Sequence, residues 1–305
     1  MTSRHAWGLL VWLWLPPCAA AGEPSSGGKQ LAIGFSMAEF ESPVFVEMRK
    51  GADAEAGALG VNLLAMGARL SSDMQSDHID ILLEDKHVEG LLLNPVPYAS
   101  YAQQIDAAVD AGVPVVKVLA DPGPDKALAV VGTDVALGAR LAARFVIDRL
   151  GGKGSVLVLE ARGFEALKAA FEKELQGSSV KVLASASAGL NRFNAKQAMA
   201  GLIREHPQFD AVLGVNDVLA LGAIDAMVEA GIDPAGKAIV GWNVSADSRR
   251  AIEEGKLGAT VDPRTGEQAR QALRILVDYL RSKKAPTRKQ ILVAPKLITK
   301  ASPEG

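Results

Sequence analysis

The sequence predicts an α/β fold made of two doubly wound lobes, each with a mostly parallel sheet covered by helices. Three observations support this prediction. Short, near-continuous aliphatic runs alternate with longer helical patterns, as is typical of parallel strands buried on both faces. This alternation recurs in the second half of the chain. The 305 residues, of which 49% are hydrophobic, encode too many strands for one sheet and can fill two cores.

The elements of the first half follow one another as strand and helix. Each aliphatic run is followed by a segment with helical spacing of apolar residues. The pairs are LAIGFS with a helix over 43–59, VNLLAMG with 72–86, GLLLNP with 98–111, and VPVVKVL and LAVVG with 134–150.

The second half repeats the pattern. Its predicted pairs are SVLVLE with a helix over 164–175, VKVLASAS with 192–206, AVLGV with 218–229, KAIVGW with 245–254, and LGATV with 266–282. Ligands of such open sheets bind outside the carboxyl ends of the strands, so the ends of these runs are the places to look for a site.

The first residues predict an export signal. Arg4 precedes an apolar run from Ala6 to Leu15, and Ala19-Ala20-Ala21 offers a cleavage site for signal peptidase. The run is shorter than the roughly 20 residues that span a bilayer, which disfavours a membrane anchor. We expect a signal peptide over 1–21, a flexible lead over 22–28, and a periplasmic mature protein.

Lipid attachment is the alternative for this segment. The single cysteine of the chain, Cys18, lies inside it. A lipid-modified cysteine normally follows a small residue, whereas Pro17 stands here, so free mature protein is the favoured prediction.

Composition argues against several classes of function. The formal net charge is −2 and Lys and Arg form no cluster, so we expect no nucleic-acid partner. The four histidines are scattered and show no metal-ligand spacing. The chain also lacks a nucleophile elbow, a His/Cys pair and a Walker motif, so we expect no metal, no cofactor and no enzymatic activity.

The stretch VLGVNDVLALGA (212–223) places a polar pair between a strand pattern and a helix pattern. Asp217 precedes the helix and is predicted to cap its exposed N–H groups. Asn216 then remains as a predicted ligand contact at the strand end, with a turn residue as the alternative. The other residues at predicted strand ends are Ser36, Asn94, Leu119, Glu160, Ser187, Trp242 and Asn243.

Two kinds of recognition chemistry occur in this set. An asparagine amide both donates and accepts hydrogen bonds. Trp242 offers a flat apolar face for a ligand ring, with a place in the core as the alternative. For Asn94, which precedes Pro95, a turn is the alternative.

From about Lys29 to Lys300 the chain resembles the periplasmic ribose-type sugar-binding proteins of ABC importers, which share their core with lactose-repressor-type regulators. The segments that carry the resemblance are ADAEAGALGVNL, GLLLNP, AGVPVV, FDAVLGVNDVLALGAIDAM, KAIVGWN and AIEEGKLGATV. The resemblance implies a type I periplasmic binding protein fold with three crossovers as a hinge. It places 29–132 and 264–289 in the first lobe, and 133–263 and 290–301 in the second.

The resemblance also implies ligand residues, several of which are changed here. Ser36, Phe45 and Asn216 keep the family's residue types. Ser42 replaces an Asn, Val44 an aromatic residue, Leu190 a stacking Phe, and Asn243 an Asp.

The charged contacts of the family differ most. Leu119-Ala120 replaces an Asp-Arg pair, with Asp121 one position away. Glu165 replaces an Arg, for which Arg162 is the nearby substitute, and Pro263 replaces a Gln.

These observations predict a monomeric solute-binding protein that closes over a small molecule and delivers it to a membrane permease. The apolar replacements, together with Trp242, predict a ligand that is more apolar or larger than a simple sugar, such as a lipid, sterol or aromatic compound. A monosaccharide is the alternative ligand. A ligand-loaded signalling subunit for a membrane receptor is the alternative from another class.

Overall fold

The computed structural model describes residues 30–97 and 99–302, which form two sheets packed against helices. The predicted signal peptide and flexible lead fall outside these residues. The strands are β1 (Ala32–Met37), β2 (Asn62–Gly67), β3 (Gly90–Leu93), β4 (Val115–Val118), β5 (Ala129–Thr133), β6 (Lys153–Glu160), β7 (Ser179–Ser187), β8 (Ala211–Gly214), β9 (Ala238–Trp242), β10 (Ala259–Asp262), β11 (Gln290–Val293) and β12 (Lys296–Thr299).

The helices connect these strands as the alternating pattern predicts. They are α1 (Pro43–Leu59), α2 (Ser72–Asp80), α3 (Ala102–Asp110), α4 (Val135–Arg149), α5 (Glu165–Leu175), α6 (Arg192–Glu205), α7 (Asp217–Glu229), α8 (Ala246–Glu253) and α9 (Thr265–Ser282). None of the helices in 30–97 and 99–302 is both long enough and apolar enough to cross a membrane.

The two sheets have the same layout, and this defines the lobes. The strand order is β11-β5-β4-β3-β1-β2 in the first sheet and β12-β10-β9-β8-β6-β7 in the second. All neighbouring strands are parallel except β10 and β12. The predicted fold class, two parallel α/β lobes, is confirmed.

Each lobe has its own apolar core. In the first lobe, β1 and β4 bury their aliphatic residues against α1 and α9, with Phe35, Met48 and Leu276 fully buried. In the second, Phe171 of α5 and Phe209 are fully buried beside β6 and β8. Burial of a side chain of this size stabilises a fold by about 1.5–3 kcal/mol. Each sheet therefore forms a stable support for the residues at its strand ends.

The chain crosses between the lobes three times, always beside the strands β5, β10, β11 and β12 at one edge of each sheet. The crossovers join β5 to α4, β10 to α9, and β11 to β12. Gln268 connects two of them: its Nε2 donates to Thr133 Oγ1 at 2.8 Å and to the Pro263 carbonyl at 2.7 Å. The hinge therefore contains a buried side-chain link between the first and second crossovers.

The segment 290–301 departs from the prediction, which assigned all of it to the second lobe. β11 pairs with β5 in the first sheet, and only β12 joins the second sheet. Pro295 lies between them. Proline lacks the N–H that a continuous strand needs, so the run divides into two strands at this residue.

Two helices also differ from the predicted ranges by more than one residue at an end. The helix predicted over 72–86 is α-helical only to Asp80 and continues as a π-helical turn over Ile81–Asp85. The helix predicted over 98–111 begins at Ala102. Tyr101 is the N-cap of this helix, and its backbone (φ −116°, ψ 19°) is not helical.

Candidate functional site

The carboxyl ends of the parallel strands in both lobes lie on the side of each sheet where the chain crosses between the lobes. β5 leaves the first sheet at its carboxyl end and enters the second lobe, and β10 leaves the second sheet in the same way and returns. The strand ends of the two lobes therefore face the same interlobe cleft, where open α/β sheets bind ligands. This cleft is the candidate site.

Ser36 is not at a strand end, because β1 continues to Met37. Its side chain is fully buried, and its Oγ accepts a hydrogen bond from Gln75 Nε2 at 3.1 Å. Gln75 also donates to the Asn94 carbonyl and accepts from the amide of Val96. The hydroxyl of Ser36 thus joins a network that holds α2 and β3 against β1.

Asn94 has a comparable structural role at the end of β3. Its Oδ1 accepts from the amide of Ala38 at 3.2 Å, and its Nδ2 donates to the Val118 carbonyl at 3.2 Å. The side chain is buried and ties the ends of three strands together. Asn94 therefore has a structural role after the end of β3, although its backbone does not form a turn.

The loop between β1 and α1 contributes a residue that the sequence analysis missed. Glu39 is only 8% exposed, and its Oε1 accepts a hydrogen bond from the hydroxyl of Ser42. Beside it, the Phe40 ring lies 5.6 Å from the guanidinium carbon of Arg49. Glu39 lies in the loop that follows β1, so the strand-end rule could have identified it.

Val44 and Phe45 lie in the first turn of α1 and are half-buried. The carbonyl of Val44 accepts a hydrogen bond from Thr265 Oγ1 at 2.7 Å, which fixes the start of α1 to the start of α9. Phe45 packs against the apolar core of the first lobe. Both predicted contacts therefore occupy fixed positions next to the second crossover.

Leu119 follows β4 and has a positive φ of 48°, which is unusual for a residue with a branched side chain. Its amide donates to the Val131 carbonyl at 2.8 Å, and its side chain packs on the core of the first lobe. Asp121 is exposed two residues later. An aspartate is therefore available beside the positions where the resemblance implies an Asp-Arg pair.

In the second lobe, the ends of β6 and β7 and the start of α5 enclose a depression of about 390 Å³. Glu160 and Lys168 form an ion pair of 2.5 Å on its wall. The other polar residues of the lining are Arg162, Glu165, Glu172 and Ser187. The predicted residues Glu165 and Arg162 are thus brought together at one strand end.

Glu165 itself closes the turn before α5. Both of its carboxylate oxygens lie within 3.0 Å of the amide nitrogen of Gly163. Hydrogen bonds from the amides of Glu165 and Gly163 lower the pKa of this carboxyl below its ordinary value, and the nearby charge of Arg162 acts in the same direction. The side chain therefore stays ionised at mildly acidic pH.

The capping prediction for the Asn216-Asp217 pair was wrong, because Asn216 and not Asp217 caps α7. Asn216 is the N-cap of α7, and its Oδ1 accepts from the amide of Val218 at 2.6 Å. Its extended backbone suits a cap, while Asp217 already has a place inside the helix. No described residue accepts a hydrogen bond from Asn216 Nδ2. The predicted ligand contact of Asn216 would therefore come from this amino group.

Asp217 is buried instead of capping the helix. It is 2% exposed, and its carboxylate accepts hydrogen bonds from Thr260 Oγ1 at 2.6 Å and from the amide of Ser245 at 2.9 Å. Burial raises the pKa of Asp217 above its ordinary value, although the hydrogen bonds that it accepts oppose this shift.

Trp242 belongs to the core of the second lobe, which was the alternative to ligand contact. Its side chain is 6% exposed and packs on Gly138 of α4. A Cβ atom at position 138 would lie 2.4 Å from the Trp242 ring, so only glycine allows this approach. Asn243 follows with a positive φ of 105° and is half-buried at the strand end.

Leu190 lies beyond the end of β7, at the sheet edge farthest from the hinge. It is 58% exposed, and Phe193 in the first turn of α6 is 67% exposed. The position is therefore at the rim of the second lobe.

Among the residues 30–97 and 99–302, no group of His, Cys, Asp and Glu side chains has the arrangement of a metal site.

Two lobes with a shared hinge and polar strand ends around a cleft define a bilobal small-molecule receptor. The chain belongs to the family described as "Periplasmic binding protein domain", which it matches over residues 33–284. The sequence-based recognition is thereby confirmed, and the related proteins are non-enzymatic solute-binding components of ABC transporters.

Named relatives extend over most of the chain. The ribose import binding protein of Bacillus subtilis (strain 168) is 29% identical over 274 residues, covering 88% of each chain. The xylitol-binding protein of Mycolicibacterium smegmatis is 30% identical over 258 residues, covering 80% of this chain and 70% of the relative.

A solved structure agrees with this assignment. The Caulobacter myo-inositol binding protein, bound to myo-inositol, superposes with a TM-score of 0.75 and 26% identity, covering 90% of this chain and 95% of that one. The relatives thus share both lobes with this protein.

Proposed function

We propose that this protein captures a small polyhydroxylated molecule, a monosaccharide or a polyol, in the interlobe cleft and delivers it to the permease of an ABC importer. The observation that carries the proposal is the family match over both lobes, with relatives named for ribose, xylitol and myo-inositol. These ligands share a compact carbon frame with several neighbouring hydroxyl groups.

The polar groups at the strand ends suit such a ligand. A hydroxyl group donates to a carboxylate and accepts from an amide or guanidinium. Glu39 in the first lobe and Asn216, Asn243 and Arg162 in the second provide these groups. Hydrogen bonds to charged groups contribute about 1.5–3 kcal/mol each, which favours ligands with several hydroxyls.

The comparisons support the monosaccharide alternative better than the predicted apolar ligand. The expectation of a lipid-, sterol- or aromatic-like solute rested on an apolar set that comprises Val44, Leu119, Ala120, Leu190 and Trp242. Trp242 is part of the core, and Leu119 packs on the first lobe's core, so neither leaves a broad apolar wall for a ligand.

Calorimetry on the purified mature chain tests the proposed ligand class. D-ribose, xylitol and myo-inositol form one panel, and a fatty acid, a sterol and an aromatic acid form the other. We expect dissociation constants in the micromolar range or tighter for at least one member of the first panel. The variant Glu39→Gln provides the matched comparison, because it keeps the size of the side chain and removes its charge.

Tight binding of only the second panel would contradict the proposal.

The same preparation tests export and assembly. N-terminal sequencing of protein from the periplasm is expected to begin near Gly22, and light scattering is expected to show a monomer. A lipid found on Cys18 would contradict this prediction and show that the protein is attached to a membrane.

A further inference from the structure

The buried carboxylate of Asp217 connects three elements behind the second-lobe wall of the cleft. Asp217 is the first residue of α7, Thr260 lies in the middle of β10, and Ser245 caps α8. The carboxylate accepts from the hydroxyl of Thr260 at 2.6 Å and from the amide of Ser245 at 2.9 Å. One side chain therefore fixes the turn between β9 and α8.

That turn has an unusual backbone. Asn243 and Val244 are consecutive and have φ angles of 105° and 59°. Left-handed backbone is costly for residues with a Cβ atom and persists only where the surroundings hold it. The hydrogen bond from the Ser245 amide to the Asp217 carboxylate supplies that constraint.

The packing of β9 is matched to this arrangement. A Cβ atom at Gly241 would lie 2.4 Å from Asp217 Oδ1. The carboxylate can therefore reach the turn only because position 241 is glycine. The amide of Asn243 also donates to the Val261 carbonyl at 2.9 Å, so the turn is held from both neighbouring elements.

From this geometry we infer that Asp217 is a positioning residue for ligand binding, which acts through the direction of the Asn243 side chain. The inference rests on the proposed function, since Asn243, half-buried after the end of β9, is a predicted ligand contact. Asp217 itself is covered by protein and makes no contact with the ligand. Its role is to hold the Asn243–Ser245 turn in the one conformation that presents the amide.

Binding measurements on the full mature chain test this role. The variants are Asp217→Ala, Asn243→Ala and the double variant, and the probes are D-ribose, xylitol and myo-inositol. We expect Asp217→Ala to weaken binding of the tightest probe about tenfold, the loss typical of one missing hydrogen bond in a buried site. In the Asn243→Ala background the same change is expected to cause less than a twofold further loss.

Two further variants separate positioning from stability. Asp217→Asn is expected to restore most of the affinity, because its oxygen can accept from the Ser245 amide and its amino group can donate to the Thr260 hydroxyl. Asp233→Ala is the matched control: this aspartate accepts from the amide of Ala235 in a surface turn at 3.0 Å, and its loss should leave binding unchanged. If Asp217→Ala does not fold, Thr260→Val removes one of the hydrogen bonds and should weaken binding in the same sense.

Hydrogen exchange on the ligand-free protein provides a readout that does not depend on the ligand class. Amides of 243–245 should exchange faster in Asp217→Ala, or in Thr260→Val, while those of 36–42 remain unchanged. Faster exchange with no binding of any probe would contradict the proposed function alone. Unchanged exchange, or an equal loss of affinity in the Asn243→Ala background, would overturn the positioning role.

Discussion

Lys117 Nζ lies 2.6 Å from Asp125 Oδ2, and the two side chains are only 7% and 8% exposed. Lys117 is in β4, and Asp125 is in the loop that follows it. Asp125 Oδ1 also accepts from the amide of Ala127 at 3.1 Å. The pair therefore anchors the loop that contains Leu119 and Asp121 at the cleft.

Lys117→Met is expected to destabilise the first lobe, because it leaves the Asp125 carboxylate buried without its partner. Losses of this kind are about 3–5 kcal/mol, measurable by denaturant unfolding. The double variant Lys117→Met/Asp125→Ala should recover part of the loss, since no unpaired charge remains. A double variant as unstable as the sum of the two single variants would contradict this account.

Ser36→Ala is expected to change stability and leave ligand affinity within about twofold, because its hydroxyl bonds Gln75 inside the lobe. Asn94→Ala should be the more destabilising of the two, by about 1–3 kcal/mol, since two backbone groups lose their partner. Thermal unfolding together with calorimetry measures both effects. A large loss of affinity in Ser36→Ala with unchanged stability would restore the ligand contact that the sequence predicted.

Asn216 allows its two roles to be separated by a pair of substitutions. Asn216→Ser keeps an oxygen that can cap α7 but removes the amino group, so stability should be retained while affinity falls about tenfold. Asn216→Ala removes both groups and should also lose about 1 kcal/mol of stability. Equal affinities for Asn216→Ser and the native protein would show that Asn216 is only a cap.

Glu165 gives an expectation for the pH dependence of stability. Its folded-state pKa is lowered by the hydrogen bonds from the Glu165 and Gly163 amides. Its stabilising contribution is therefore complete above the ordinary pKa of a glutamate and is lost as the pH falls through the lowered value. NMR titration of the carboxyl carbon should show the shift, and Glu165→Gln should lack this part of the acid dependence. A titration at or above the ordinary value would contradict it.

The alternation of aliphatic runs and helical spacing was sufficient to predict the fold. Helix α1 has the predicted bounds, 43–59, because Pro43 and Gly60 mark both of its ends. Departures occur where proline sets the backbone, as at Pro295 between β11 and β12. Local sequence patterns were therefore sufficient to predict most of the architecture.

The site was less predictable, because its residues depend on contacts far apart in sequence. Asp217 and Thr260 are 43 positions apart, and no local pattern shows that this aspartate turns inward. The same applies to Ser36, whose partner Gln75 is 39 positions away. The rule that ligands bind at strand ends identifies the edge of the sheet. It cannot distinguish polar side chains that contact a ligand from those that form hydrogen bonds within the protein.

All three crossovers lie at one edge of the sheets. A small rotation at this hinge edge therefore displaces the opposite edge by a larger distance. At a strand spacing of about 4.8 Å, the five intervals from β11 to β2 span roughly 24 Å, and those from β12 to β7 span the same distance. A rotation of about 20° at the hinge then moves the far edge by ~8 Å, enough to admit or enclose a sugar-sized molecule. Small dihedral changes near Thr133 and Pro263, which Gln268 connects, are thus amplified at Leu190.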